Sequence, residues 1–213
     1  MTAKTLQIDI VSDVMCPWCI VGYQRLQQAL ASFSNIDAQI TWHPFELNPQ
    51  MAKEGQHLGE HLAEKYGSTP QQSQQNRANL IAIGKPLDIE FNFTDQSRIY
   101  NTFNAHQLLQ WAKSFNQQTA LKLALFEAYF KQQQNIADKD VLLSVVEAVG
   151  LDRQQAEIVL ASQQYADSVR AEQALWQSRG ISAVPAIVFN QQYLISGAQS
   201  TQYLIEAIKQ LQA

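Results

Sequence analysis

The chain contains two cysteines, and both lie in one tetrapeptide, Cys16-Pro17-Trp18-Cys19. The stretch before it, Leu6 to Ser12, reads as a buried strand, and the stretch after it, Ile20 to Phe33, reads as a helix. The motif therefore sits where a strand hands over to a helix. A two-residue spacer puts both sulfurs on one helical turn, near enough to close a small disulfide ring. Pro17 suits that first turn, where its missing N–H costs no hydrogen bond. Unpaired N–H groups and the macrodipole at this helix end favour a negative charge, which makes Cys16 a candidate thiolate.

Three chemistries use cysteines at this spacing. A catalytic dithiol is the one that CxxC beside a βαβ pattern favours. Half of a zinc site is the second, but structural zinc takes four ligands and the chain has no second cysteine pair. A structural disulfide is the third, and it would close a very short loop that restricts the unfolded chain little. A separate zinc candidate, His57-Leu58-Gly59-Glu60-His61, fits the H-x-x-E-H pattern of inverted zinc proteases. Gly59 weakens that helix by about 1 kcal/mol, and no third carboxylate ligand can be argued. It reads as an ordinary solvated helix, and no metal is expected.

With 213 residues the chain can bury a sizeable core. The formal charge of -4 and the scattered Lys and Arg argue against a nucleic-acid surface. No apolar run approaches the ~20 residues that span a bilayer. Met1-Thr2-Ala3-Lys4 leads directly into the first strand without a secretory pattern, so the expected location is the cytoplasm. Gln71-Gln72-Ser73-Gln74-Gln75 reads as a solvated helix face.

The first segment reads strand–helix–strand, with Asp37 to Glu46 as the second strand and Pro44 ending its ladder. From about 52 to 179 the pattern is helical. Thr69-Pro70 starts one helix and Gly84-Lys85-Pro86 stops it. A further helix is expected from about Ser97 to Phe115. Asn116, Asp138 and Asp152 read as N-caps of the helices that follow them, and Gly180 as a left-handed stop. The end returns to β: Ala186 to Phe189, a turn at Asn190-Gln191-Gln192, and Tyr193 to Ser196, before a closing helix from about Ser200 to Leu211. The two β-rich ends need each other to complete a sheet.

These residues resemble a thioredoxin fold carrying a helical insertion, the architecture of DsbA-type oxidoreductases, and are most similar to the FrnE-like branch. The likeness rests on Ser12-Asp13-Val14-Met15 with the CPWC motif and Gly22, on Trp42-His43-Pro44-Phe45-Glu46-Leu47-Asn48-Pro49, on Asn101-Thr102 with Ala105-His106, on Ala128-Tyr129-Phe130, on Gly180 with Val184-Pro185, and on Gly197-Ala198-Gln199. It implies an α/β fold with a discontinuous thioredoxin-like domain at 1–51 and 165–213 and a large all-helical insertion at 52–164. Kappa-class glutathione transferases and 2-hydroxychromene-2-carboxylate isomerases share this architecture but usually carry serine at the attacking position. Cys16 places the chain on the redox side.

The resemblance implies roles residue by residue. Cys16 is the exposed attacking sulfur and Cys19 the buried resolving one. Pro185 faces them across a cis Val184-Pro185 bond that leaves the Val184 backbone free for substrate or glutathione. Trp18 covers the motif and shapes the rim, or only packs. Gln199 and Ser200, at the entrance to the last helix, correspond to a glutathione corner, although relatives often have Asp-Arg there. Asp13 reads as a loop-to-helix cap or as a proton-transfer carboxylate. His106, on one insert helix with Asn101, lines the cleft above Cys16 or is a satisfied, half-buried histidine. Phe45, Leu47 and Asn48 form part of the substrate rim or anchor the insert.

The expected function is thiol–disulfide exchange. The alternatives are a glutathione-dependent isomerase or transferase, and a non-catalytic peptide-binding or redox-sensing module. No cofactor is required, and glutathione can serve as a co-substrate. The expected partners are disulfide- or thiol-containing proteins and peptides, or glutathione; nucleic acid and membrane are not expected, and the chain is a monomer or a homodimer. In a reducing cytosol the resting form would be the dithiol, which favours reductase or isomerase work.

Overall fold

The computed structural model describes residues 4–212, so the reading of Met1-Thr2-Ala3 lies outside the described residues. A mixed sheet is assembled from the two ends of the chain in the order β2-β1-β5-β6. β1 (Lys4–Ser12) runs parallel to β2 (Ile36–Pro44) and antiparallel to β5 (Ala186–Phe189), which forms a hairpin with β6 (Tyr193–Ser196). Because strand side chains alternate between faces, Leu6, Ile8 and Ile10 enter one core while Val11 enters another. The first core takes α1 (Pro17–Leu30) and α9 (Thr201–Gln212), through Leu26, Leu204 and Ile208. The second takes α8 (Ala166–Ser178), whose Trp176 packs against Val11, Ala186 and Val188.

A half-buried charge cluster pins α8 to that second face. His43 of β2 bonds Asp9 at 2.7 Å through Nε2 and Glu172 at 2.5 Å through Nδ1, and Lys113 bonds Glu172 at 3.1 Å. Burial alone would depress the His43 value, but the two carboxylates outweigh it and hold the imidazole above its ordinary value.

Between β2 and α8 lie α2 (Leu58–Tyr66), α3 (Pro70–Gly84), α4 (Phe103–Ala112), α5 (Gln118–Phe126), α6 (Lys139–Ala148) and α7 (Arg153–Ser162). Local chemistry fixes their starts. Thr69 and Gln72 form a reciprocal capping box at α3, and Asp138 and Asp152 each accept two backbone N–H bonds, at α6 and α7. One hydrophobic core runs from the sheet into these helices. α5 also closes the outer edge of the sheet: the Gln118 amide accepts from Trp42 N at 2.9 Å and donates to Trp42 O at 2.8 Å. An edge strand otherwise leaves such groups unpaired.

Three local expectations are corrected. The insert is not wholly helical, since β3 (Gln56–His57) pairs with β4 (Arg98–Ile99). The helix expected from Ser97 begins instead at Phe103, because Arg98 and Ile99 are held in that ladder and Asn101 Oδ1 accepts from Phe103 N. Asn116 does not cap α5. It takes a left-handed conformation after a short 3₁₀ turn, and Gln117 stands at the cap without a side-chain bond.

Candidate functional site

Cys16 is the N-cap residue of α1 and Pro17 the first residue of the helix. Both cysteines are free thiols. A turn bonds Cys16 N to Asp13 O at 3.2 Å, and Cys19 N to Cys16 O at 3.0 Å. The Cys16 sulfur lies 3.7 Å from Val184 O, and the Val184–Pro185 bond is cis. Gly22, one turn after Cys19, lets the helix approach that loop: a Cβ there would lie 3.2 Å from Pro185 Cγ.

The sulfurs differ in access. Cys16 is 4% exposed and lines a cavity of about 1000 Å³, whereas Cys19 is 0% exposed and does not line it. Cys16 is thus not a surface sulfur, as the motif suggested, but part of a cavity wall that the insert roofs over.

Burial also changes the expected charge. The Cys16 thiol is pushed well up by the hydrogen bond it shares with Cys19, by burial, and by the charges of Cys19 and Asp13. Burial opposes the Cys19 anion, but the bond from Cys16, the charge of Lys122 and the Ser12 hydroxyl outweigh it and bring that thiol below its ordinary value. In this dithiol form the negative charge is therefore favoured on Cys19. The Cys19 backbone N–H lowers the Cys16 value, but the Cys19 side chain and burial outweigh it.

The cation responsible had no counterpart in the sequence reading. Lys122, on α5, is 1% exposed. Its Nζ donates to Ser12 O at 3.5 Å and stands 5.3 Å from the Trp42 ring and 5.0 Å from the Phe126 ring. Desolvation lowers its pKa to about 8, although Cys19, Asp13 and Cys16 all pull it upward. The available signal was a single charge inside the apolar run from Ala120 to Phe126.

Asp13 is fully buried and does not cap α1. Its Oδ2 accepts from Leu47 N at 2.7 Å and its Oδ1 from Met15 N at 3.4 Å, and His106 Nε2 lies 3.5 Å from Oδ1. Burial raises the Asp13 value, but His106, the Leu47 amide and Lys122 outweigh it and hold the carboxyl below its ordinary range. His106 is 2% exposed, bonds Phe45 O at 3.1 Å, and lies behind the cavity wall rather than in it. Its contact is to Asp13, not to Cys16.

Trp18, Phe45, Leu47, Asn48 and Val184 line the cavity. Leu47 and Asn48 also anchor the insert, because Lys65 Nζ donates to Leu47 O at 2.8 Å and to Asn48 Oδ1 at 2.7 Å. Gln199 and Ser200 are not among the lining residues. Both are exposed: the Gln199 amide donates to Ser196 O, and Ser200 Oγ accepts from Tyr203 N at the start of α9. Asn101 lies outside α4 and donates to Met51 O. His57 caps α2 and bonds Asp95 O, while His61 bonds Gln56, so the two histidines face separate partners. Among the described residues no group of three or more His, Cys, Asp or Glu could hold a metal, and no helix is long and apolar enough to cross a membrane.

The family model for the DSBA-like thioredoxin domain matches residues 7–209. The chain is 27% identical over 205 residues to the uncharacterized protein YwbO of Bacillus subtilis (strain 168), covering 96% of each. The probable DsbA oxidoreductase SCO1869 from Streptomyces coelicolor superposes with a TM-score of 0.91 at 32% identity, covering 96% of this chain and 89% of that one. A 2-hydroxychromene-2-carboxylate isomerase superposes with a TM-score of 0.72 at 15% identity, covering 96% and 95%, a likeness of fold alone.

Proposed function

The chain belongs to the DSBA-like thioredoxin domain family, and from that premise we propose that it is a thiol–disulfide oxidoreductase or isomerase in which Cys16 attacks and Cys19 resolves. The observation that carries this reading is the unequal access of the two sulfurs. A disulfide entering the cavity meets Cys16, while Cys19 waits behind it with its anion stabilised by Lys122. Cys16 attacks one substrate sulfur as a thiolate, its proton passing to the Cys19–Lys122 side. A mixed disulfide forms and the first substrate thiolate leaves. Cys19 releases that proton to solvent, and its thiolate then attacks the Cys16 sulfur and expels the second thiolate. The enzyme loses two electrons and ends as the Cys16–Cys19 disulfide.

Val184, joined to Pro185 by the cis bond, lines the cavity beside Cys16, with its backbone offered to an extended substrate. Glutathione is a reasonable reductant for the return half-cycle, and the cytoplasm the compartment in which a dithiol resting state persists. The test is a single turnover of the reduced protein with hydroxyethyl disulfide, its thiols trapped by maleimide. Wild type should end with the internal disulfide, Cys19→Ser should stop at a mixed disulfide on residue 16, and Cys16→Ser should do neither. Unchanged turnover in Cys16→Ser would refute the proposal.

A further inference from the structure

The cavity in front of Cys16 has a composition that selects among disulfides. Its volume, about 1000 Å³, lies at the upper end of the ~300–1,000 Å³ range of small-molecule sites. The insert supplies the wall away from the motif, with Leu62 of α2, Leu80 and Ile83 of α3, Phe93, and Phe130 from the π-helical turn Glu127–Lys131 that follows α5. Polar groups of a ligand placed against these side chains would lose water without gaining partners. The buried Cys16 sulfur is reached by entering this space, which a disulfide held within a folded surface cannot do.

The charges on the lining are equally one-sided. Lys65 and Arg77 line the cavity, and among the described residues Glu46 is the sole carboxylate on it. The Glu46 Oε2 is engaged by Arg170 and Gln173, while its buried Oε1 has no partner among the described residues. Lys65 bonds only neutral oxygens of Leu47 and Asn48 in the contacts of the described residues, and Arg77 meets Asp95 at 3.6 Å, a carboxylate that is almost wholly exposed. Lys65 is exposed and Arg77 half-buried, so the positive charge sits toward solvent and the apolar wall lies inward.

We infer that the disulfide reduced at Cys16 belongs to a small molecule with an extended apolar body that ends in an anionic group. This rests on the redox reading above. The reduced enzyme gives two electrons to R–S–S–R′; R′–S⁻ leaves when Cys16 binds R–S, R–S⁻ leaves when Cys19 closes the ring, and both thiolates take protons from solvent.

The experiment measures second-order rate constants for oxidation of the reduced protein by the symmetrical disulfides of 3-mercaptopropionate, 6-mercaptohexanoate and 11-mercaptoundecanoate. The amine-ended disulfide of 11-aminoundecanethiol, oxidised glutathione and oxidised insulin serve as comparisons, and dodecanoate binding is measured by calorimetry. Complete burial would give about fourfold per methylene; about twofold is expected here, with the long carboxylate about tenfold faster than its amine analogue. Ile83→Asn should flatten the chain-length series, and Lys65→Gln should narrow the carboxylate-over-amine ratio. Rates independent of chain length, or glutathione disulfide or insulin reacting as fast as the long carboxylate, would overturn this substrate class and leave the redox function standing. Dodecanoate binding with no disulfide turned over would refute the redox function, and this substrate class with it.

Discussion

Replacing Lys122 with Met tests the most unusual feature of the site, a lysine enclosed beside two thiols and a carboxylate. Its pKa falls from 10.5 to about 8 on folding, which corresponds to about 3 kcal/mol of cost for holding the charge inside. The sign follows from linkage. Below pH 8 the lysine is protonated in both states, so the folded protein bears the whole cost. Between about 8 and 10.5 the unfolded chain holds more protons, and stability rises with pH. Above 10.5 the cost is gone. The assay is chemical denaturation across this window for wild type and Lys122→Met, both oxidised so that the thiols do not titrate. Oxidation also removes the thiol charges that pull the lysine upward, so its value can only fall further and the cost can only grow. Wild type should gain at least about 3 kcal/mol on the variant between pH 7 and 10.5, while exposed groups common to both cancel. Parallel stability curves would mean that the lysine keeps its ordinary value, and the argument for a buried cation behind Cys19 would fail. In the reduced protein, the same variant should accumulate the mixed disulfide on Cys16, because the Cys19 anion loses its counter-charge.

Three further outcomes follow from geometry outside the thiols. His43→Gln should destabilise the protein more at about pH 6 than at about pH 9: an imidazole raised by Asp9 and Glu172 stabilises fully below its unfolded value of 6.5, and the gain is lost as pH rises through the folded value. Paired melts at the two pH values decide it, and an equal loss at both would mean that His43 acts only by packing. Gly22→Ala places a methyl 3.2 Å from Pro185 Cγ; it should slow single-turnover exchange on the order of tenfold by displacing the Val184 loop while costing about 1 kcal/mol. Thr69→Ala removes half of the α3 capping box and should cost about 1 kcal/mol in denaturant unfolding, with no change in thiol chemistry.

The sheet was legible because its information is local. β1 and the β5–β6 hairpin are short apolar runs bounded by turn residues, and Thr69, Asp138 and Asp152 announce their helices through bonds made within three residues. Ile99 shows where this fails. It fits the helical spacing of Phe103, yet its backbone pairs with Gln56, more than forty positions away, and a two-residue ladder leaves no periodicity to read. His106 was read as lining the cleft or as half-buried, but it is fully buried, and its partner Asp13 reaches it from another segment. Lys122 is the extreme case. A lysine in a helix is by default a solvated residue, and its burial is decided by Trp42, Phe126 and the sheet end closing around it.

That placement bears on what the insertion does for the site. Cys16, Cys19, Asp13 and Pro185 all come from the thioredoxin-like part, but the cation that favours the Cys19 anion comes from α5, which also satisfies both backbone groups of Trp42 on the edge strand. Docking α5 on β2 therefore sets two things together: the closure of the sheet edge, and the distance from Lys122 to the dithiol. Gln118→Ala, one helical turn before Lys122, separates them. It leaves the lysine in place chemically but unpairs Trp42 N and O, at a cost of about 1–3 kcal/mol for each group that stays buried. If α5 positions the cation through this contact, the variant should accumulate mixed disulfide as Lys122→Met does, in proportion to the lost stability. If it is destabilised with wild-type exchange kinetics, then Lys122 is held by Ser12 O and the aromatic rings, and the edge contact serves only the fold.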